Sequence, residues 1–182
     1  MTHADATPAS SPDERELGFT ANGASVRVST PVRKLLSDLL REDLGLAALQ
    51  LGCEDGVCGA CTVLLDGEPV RACTMLAVQA EGREVVTLEG LAGDPFLQDA
   101  KRAFSESHAL QCGFCTSGML TTLVACDRAG CGSSEEALHE LSGNLCRCTG
   151  YLNIRRAVRA LWQEDEEDRP GAGGPQDTEE QR

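Results

Sequence analysis

The sequence predicts an α+β chain in which a small sheet comes first and a bundle of short helices follows. Three observations carry that reading. Two dipeptides of the tight-hairpin type, Asn22-Gly23 and Asp66-Gly67, sit between strand-like runs ahead of Leu88. After Pro95 the apolar residues recur at helical spacing and no strand pattern survives. The ten cysteines fall into groups that divide along the same line.

Taken in order, residues 17–21 and 25–29 flank Asn22-Gly23 as a first hairpin. Thr30-Pro31 then offers an N-cap and a proline at the first helical position, followed by the stripe Val32, Leu35, Leu36, Leu39 and Leu40. Residues 61–65 and 69–72 bracket Asp66-Gly67 as a second hairpin, and 84–88 form a further strand. Two hairpins, one crossing helix and a last strand make a β-grasp-like sheet. The stretch GLAGDP, from Gly90 to Pro95, reads as a seam. Beyond it residues 95–107 (Phe96, Leu97, Ala100, Phe104) and 116–128 read as helices. Residues 137–141 follow behind a Ser133/Glu136 capping box, and 153–162 form a basic amphipathic helix, completing a four-helix bundle. The expected division is a disordered N-terminus at 1–15, a sheet domain at 16–90, a helical domain at 91–162 and an acidic disordered tail at 163–182.

The apolar fraction of 41% is enough for a core, but aromatic residues supply only 3%. Two small domains so short of large side chains need a metal or a cross-link as a supplement. The formal charge of −13, of which the segment from Gln163 to Arg182 supplies −6, opposes binding to nucleic acid or to an anionic membrane. No stretch is long and apolar enough to span a bilayer, and the polar, acidic first residues lack a signal h-region and a twin-arginine pair. The expectation is a cytoplasmic protein, in which clustered thiols read as metal ligands before they read as disulfides.

Cys53, Cys58, Cys61 and Cys73 show the spacing C-x4-C-x2-C-x11-C. Three thiolates on one loop and a fourth from a later segment is the plant-type [2Fe–2S] arrangement. A cluster held by four thiolates is anionic, so its loop must bring backbone N–H groups to the sulfurs. Gly52, Gly56 and Gly59 suit that, because any side chain there would intrude and positive φ is tolerated. Zinc sites more commonly join two short C-x2-4-C pairs, and this group has no second pair.

The second group, Cys112-Gly-Phe-Cys115 with Cys146-Arg-Cys148, is ambiguous by spacing alone, and zinc stays open. Cys115 at the start of one predicted helix and Cys148-Thr149-Gly150 just before another favour an anionic centre, since helix N-termini present free N–H groups. Cys126 reads as a small buried hydrophobe and Cys131 as a loop thiol. His108 and His139 are surplus once eight cysteines form two sets, which disfavours a Rieske-type centre. Arg147, between two ligands, either offsets cluster charge or is a solvated arginine.

Three long segments, GCEDGVCGACTVLLDGEPVRACTMLA (from Gly52 to Ala77), ALQCGFCTSGM (from Ala109 to Met119) and LSGNLCRCTGYLNI (from Leu141 to Ile154), resemble the iron–sulfur subunit of the molybdenum hydroxylases. These are the relatives of xanthine dehydrogenase and aerobic carbon monoxide dehydrogenase. The resemblance spans roughly Leu17 to Trp162. It implies a plant-type ferredoxin-like β-grasp domain followed by a four-helix domain, each with one [2Fe–2S] cluster. The first quartet would hold the cluster nearer FAD. Cys112, Cys115, Cys146 and Cys148 would hold the one nearer the molybdopterin, against which Gln111 and Cys148 would sit.

Electrons would then run from the molybdopterin centre through both clusters to FAD. A large molybdopterin subunit and a medium FAD subunit would be the partners, in a heterotrimer or a dimer of heterotrimers. The chain itself would carry no catalytic residue. One departure is Ser117, where many relatives have proline. A free two-cluster carrier and a zinc-stabilised interaction module are the competing readings, and the substrate of such a complex is not encoded in this chain.

Overall fold

The computed structural model describes residues 13–163; of the tails expected at 1–15 and 163–182, residues 1–12 and 164–182 lie outside them. Five strands form one mixed sheet in the order β2-β1-β5-β3-β4. β1 (Glu14–Ala21) and β2 (Ala24–Pro31) pair antiparallel through a turn in which Asn22 (φ 51°) and Gly23 (φ 79°) are both left-handed, the conformation that turn type requires. Glu14 and Arg15, expected in the N-terminal tail, are the first residues of β1. β3 (Thr62–Leu65) and β4 (Glu68–Arg71) form the second hairpin around Asp66-Gly67. β5 (Glu84–Val86) inserts between the hairpins, parallel to β1 and antiparallel to β3.

The helix expected from Thr30-Pro31 begins later. Thr30 and Pro31 are still in the ladder, opposite Arg15 and Glu14, and a proline at the end of an outer strand leaves no unmet donor. Helical geometry starts with α1 (Leu36–Asp38) and continues as a π-type turn over Leu39–Asp43. Leu36, Leu39 and Leu40 are fully buried, whereas Val32 is exposed.

After a 3-10 turn at Leu88–Leu91, four helices follow: α2 (Pro95–Glu106), α3 (Thr116–Arg128), α4 (Ser134–Glu140) and α5 (Leu152–Leu161). Asp94 caps α2 by accepting from the Leu97 N–H at 3.1 Å, with Pro95 at the first turn. Ser133 caps α4 as expected, accepting from Glu136 N–H. The reciprocal Glu136 carboxylate accepts from Gly132 rather than from the cap residue.

β3 is buried along its whole length and serves two cores at once. Val63 and Leu65 join Leu17, Leu36, Leu39 and Val85 on one side. Leu64, pointing the other way by the period-2 alternation of a strand, joins Leu97, Phe104, Met119, Leu123 and Val158 among the helices. One strand therefore welds sheet and helices together.

Cys126 and Cys131 are corrected by the structure. Cys126 is buried on α3 as expected, but the two form a disulfide with a Cα–Cα distance of 5.4 Å, so Cys131 is not a loop thiol. The bond pins the end of α3 to the loop before α4, and Trp162 Nε1 donates to the Cys131 carbonyl at 3.0 Å. No helix among the described residues is long and apolar enough to cross a membrane.

Candidate metal centres

The eight remaining cysteines carry no disulfide and gather in two places. Cys53 and Cys58 stand on the irregular loop between α1 and β3, Cys61 at its end, and Cys73 in a 3-10 turn directly after β4. Because β3 and β4 are a hairpin, the residue before one strand returns beside the residue after the other. The Ala72 N–H accordingly donates to the Cys61 carbonyl at 3.3 Å.

N–H groups aim at the sulfurs of this loop. The Cys58 N–H lies 3.3 Å from Cys53 Sγ, and the Gly56 N–H reaches Cys73. Burial, then contact with the Cys61 thiol, pushes Cys73 up to about 11. Cys53 is held below its ordinary value: the Asp55 side chain raises it, and the Asp55 and Cys58 amides outweigh that.

Gly56 (φ 83°) and Gly59 (φ 73°) are left-handed, as their placement in the loop suggests. A Cβ on Gly56 would also meet Thr74 Cγ2 at 2.9 Å. Gly52 has no positive φ; crowding excludes a side chain there, since a Cβ would lie 3.1 Å from Cys58 Sγ and 3.3 Å from the Phe114 ring.

The second group forms at the helical end. Cys112 and Cys115 precede α3, with Cys115 as its N-cap, and Cys146 and Cys148 precede α5. Cys112 Sγ and Cys148 Sγ are 3.5 Å apart, and Cys115 contacts Cys146. Desolvation, then the Cys146 thiol, pushes Cys115 up to about 12. Cys146 is lowered although burial opposes it, because the Thr149 hydroxyl (3.1 Å) and N–H (3.5 Å) both donate to its sulfur. Cys112 is lowered chiefly by the Phe114 N–H.

Thr149, expected only to lie at a helix start, and Tyr151, which the sequence reading did not single out, shape this corner. Tyr151 is left-handed (φ 67°), its N–H donates to Thr149 Oγ1, and its hydroxyl oxygen accepts from the Cys146 N–H at 2.8 Å. The signal was their place directly after the last cysteine. Gln111, Cys112 and Cys148 are exposed, so this centre opens to solvent, whereas Cys61 and Cys73 are buried. His108 and His139 are exposed and Arg147 is solvated.

The two groups adjoin. The Leu145 N–H donates to the Cys58 carbonyl at 2.9 Å, so a single hydrogen bond links a residue of the first group to the neighbour of Cys146. Beside it lies a hollow of about 440 Å³ lined by Gly52 and Cys58 from one side and Phe114, Cys115, Leu145 and Cys146 from the other.

Each quartet resolves into two thiol pairs: Cys53 with Cys58 and Cys61 with Cys73, Cys112 with Cys148 and Cys115 with Cys146. Among the described residues no three His, Cys, Asp or Glu side chains group as one metal ion would need. Paired soft thiols ringed by N–H donors are a donor set that fits a two-iron, two-sulfide unit.

Comparison with known proteins agrees. Residues 24–101 match a 2Fe-2S iron-sulfur cluster binding domain and residues 87–159 a [2Fe-2S] binding domain. The chain is 50% identical over 149 residues to the caffeine dehydrogenase subunit gamma of Pseudomonas sp. (strain CBB1), covering 80% of this chain and 89% of that one. It is 44% identical over 142 residues to the xanthine dehydrogenase iron-sulfur-binding subunit of Escherichia coli O157:H7, covering 76% and 89%.

This chain is an iron–sulfur subunit of the molybdenum hydroxylase family.

The family's fold extends over the described residues. The crystal structure of quinoline 2-oxidoreductase from Pseudomonas putida 86 superposes with a TM-score of 0.74 at 44% identity, covering 83% of this chain and 95% of that chain. As a molybdenum-hydroxylase iron–sulfur subunit, the chain is a component of an oxidoreductase rather than a complete enzyme.

Proposed function

We propose that this chain carries electrons within a molybdenum-dependent hydroxylase, through two [2Fe–2S] clusters, from a molybdopterin centre on a large subunit towards FAD on a medium subunit. Cys53, Cys58, Cys61 and Cys73 hold one cluster within a β-grasp domain at 16–90. Cys112, Cys115, Cys146 and Cys148 hold the other within the four-helix domain at 91–162. In each quartet one thiol pair serves one iron. Gly52, Gly56 and Gly59 keep the first loop close to its cluster, and Gln111 and Cys148 face the molybdopterin. Each cluster, when bound, supplies a one-electron carrier. The assembly is a heterotrimer or its dimer, in the cytoplasm.

The observation that carries this reading is the union of two thiol quartets in one packed chain, one partly buried and one opening to solvent, with the Leu145–Cys58 hydrogen bond between their loops. An exposed end receives electrons from a partner, and buried thiols insulate the other from solvent.

Native purification with the partner subunits tests the proposal. The expected result is bound molybdenum and flavin, together with two distinct [2Fe–2S] EPR signals on reduction. A colourless chain carrying zinc, or one that never associates with a molybdenum or flavin subunit, would overturn it.

A further inference from the structure

Between the two cysteine groups lies a buried polar knot that supplies no ligand. Its centre is the carbonyl of Gly59, inside the first loop and next to Cys58. That oxygen accepts from the Thr62 N–H at 3.2 Å, from the Thr62 hydroxyl at 2.6 Å and from Asn144 Nδ2 at 3.1 Å. Asn144 is 1% exposed, stands two residues before Cys146, and is 85 residues from Gly59 in the chain.

Its other end, Oδ1, lies 3.2 Å from the Thr122 hydroxyl, whose single proton it shares with Gly118 O at 2.9 Å. The amide orientation is dictated by its partners: a carbonyl can only accept, so Nδ2 must face Gly59. Arg71, two residues before Cys73, closes the knot by donating to Thr62 Oγ1 and, at 2.9 Å, to Gly143 O.

Sterics hold the same contact from outside. A Cβ on Gly118 would fall 2.1 Å from Gly59 O, and one on Gly59 would fall 2.5 Å from Gly143 O and 2.7 Å from Asn144 Nδ2. The loops thus meet with no slack. A buried amide is a poor choice where only cohesion is needed, because an apolar residue of that size costs no desolvation. What the amide adds is a fixed direction and distance. Its donor grips the first cysteine loop while its own backbone carries the second, and the next residue, Leu145, donates to Cys58.

We propose that Asn144 is a positioning residue for electron transfer, setting the separation and orientation of the two clusters by clamping the Gly59 carbonyl. This rests on the two-cluster reading above. Electron exchange and magnetic interaction between two carriers both fall steeply with distance, so a loosened loop changes them even when every ligand remains.

The test uses the full chain with its clusters. Asn144→Ala removes the clamp, and Asn153→Ala is the control, removing a bond to the His108 carbonyl (3.2 Å) within the helical half. Hydrogen exchange at the Leu145 amide and the EPR interaction between the two reduced clusters are measured beside Tm. N144A is expected to exchange Leu145 about tenfold faster, as loss of a buried hydrogen bond implies, and to weaken the interaction with both EPR signals retained. N153A lowers Tm and moves neither.

Should N144A fail to load its clusters, Thr122→Val, which frees the Oδ1 end and the Gly118 carbonyl of the same helix but leaves the Nδ2 clamp in place, must shift both readouts in the same direction by less. Native Leu145 protection with an unchanged interaction in N144A, or no shift in T122V, would overturn the proposal. Wild-type protein without two reduced-cluster signals would instead sink the two-cluster reading and leave the Leu145 exchange as the measure of the clamp.

Discussion

Cys58 contributes twice, its thiol to the first quartet and its carbonyl to the hydrogen bond from Leu145. Serine keeps the second contribution and weakens the first. For Cys58→Ser the expected outcome is loss of one reduced EPR signal with the other intact, read by iron content and spectroscopy; loss of both would mean that the centres assemble as one. Gly56→Ala is expected to act similarly. It combines a left-handed backbone with a clash at Thr74 and displaces the N–H directed at Cys73. At this scale the gathering of the first cysteine loop and the left-handed Gly56 and Gly59 were legible because their spacing is local. Asn144 and the Thr149 hydroxyl were not. Asn144 looks like an ordinary loop residue until the chain folds Gly59 against it, and Thr149 acquires its role from a sulfur three residues back.

Elements were readable where the signal was a turn or a cap, and misread where one residue fits two roles. The Asn22-Gly23 and Asp66-Gly67 turns and the span of α3 stand as the pattern indicated. Thr30-Pro31 suits a helix start and also the end of an outer strand, and the β1 partner decides between them. Asp94 is the cap most open to measurement. Burial raises its carboxyl, but the Leu97 N–H and Arg128 (2.9 Å) outweigh that and hold it below the usual range.

A depressed folded value means that the contribution of Asp94 is present above about pH 4 and is lost as pH falls through that folded value. Asp94→Ala should therefore cost about 1–2 kcal/mol near neutrality, and less in acid, by denaturant unfolding at two pH values. The disulfide was hidden for a different reason: its partners are a helix residue and a loop residue, brought together only by the turn at Gly130. Closing so short a loop contributes about 2 kcal/mol in the chain-entropy account. Cys126→Ser with Cys131→Ser is expected to lower Tm by a few degrees without altering iron content.

For the whole molecule, the notable surface is apolar and lies around the exposed thiols. Leu152 (53%), Leu145 (47%), Phe114 (43%) and Leu110 (43%) are large side chains left in water near Cys112 and Cys148. The chain otherwise carries a strong negative charge. Clustered apolar exposure of this kind marks a surface that a partner covers. Phe114→Glu with Leu145→Glu is expected to weaken association with the proposed molybdopterin subunit at least tenfold without loss of iron, measured by co-purification and iron analysis. Unchanged association would move that docking contact to another face of the chain. A mixed sheet with helices was legible from the hairpin dipeptides and the helical spacing, but the sharing of β3 between two cores was not, because a four-residue apolar run reads the same whether one face or both are covered.

The bare backbone contact of Gly118 with Gly59 bears on how such chains can be recombined. Although two recognisable sequence families meet in this protein, its halves are not interchangeable cassettes. A chimera that took the first half from one relative and the second from another would inherit a working joint only if the first parent had glycine at the place of Gly59 and the second at that of Gly118, and a single alanine at either would pry the graft apart.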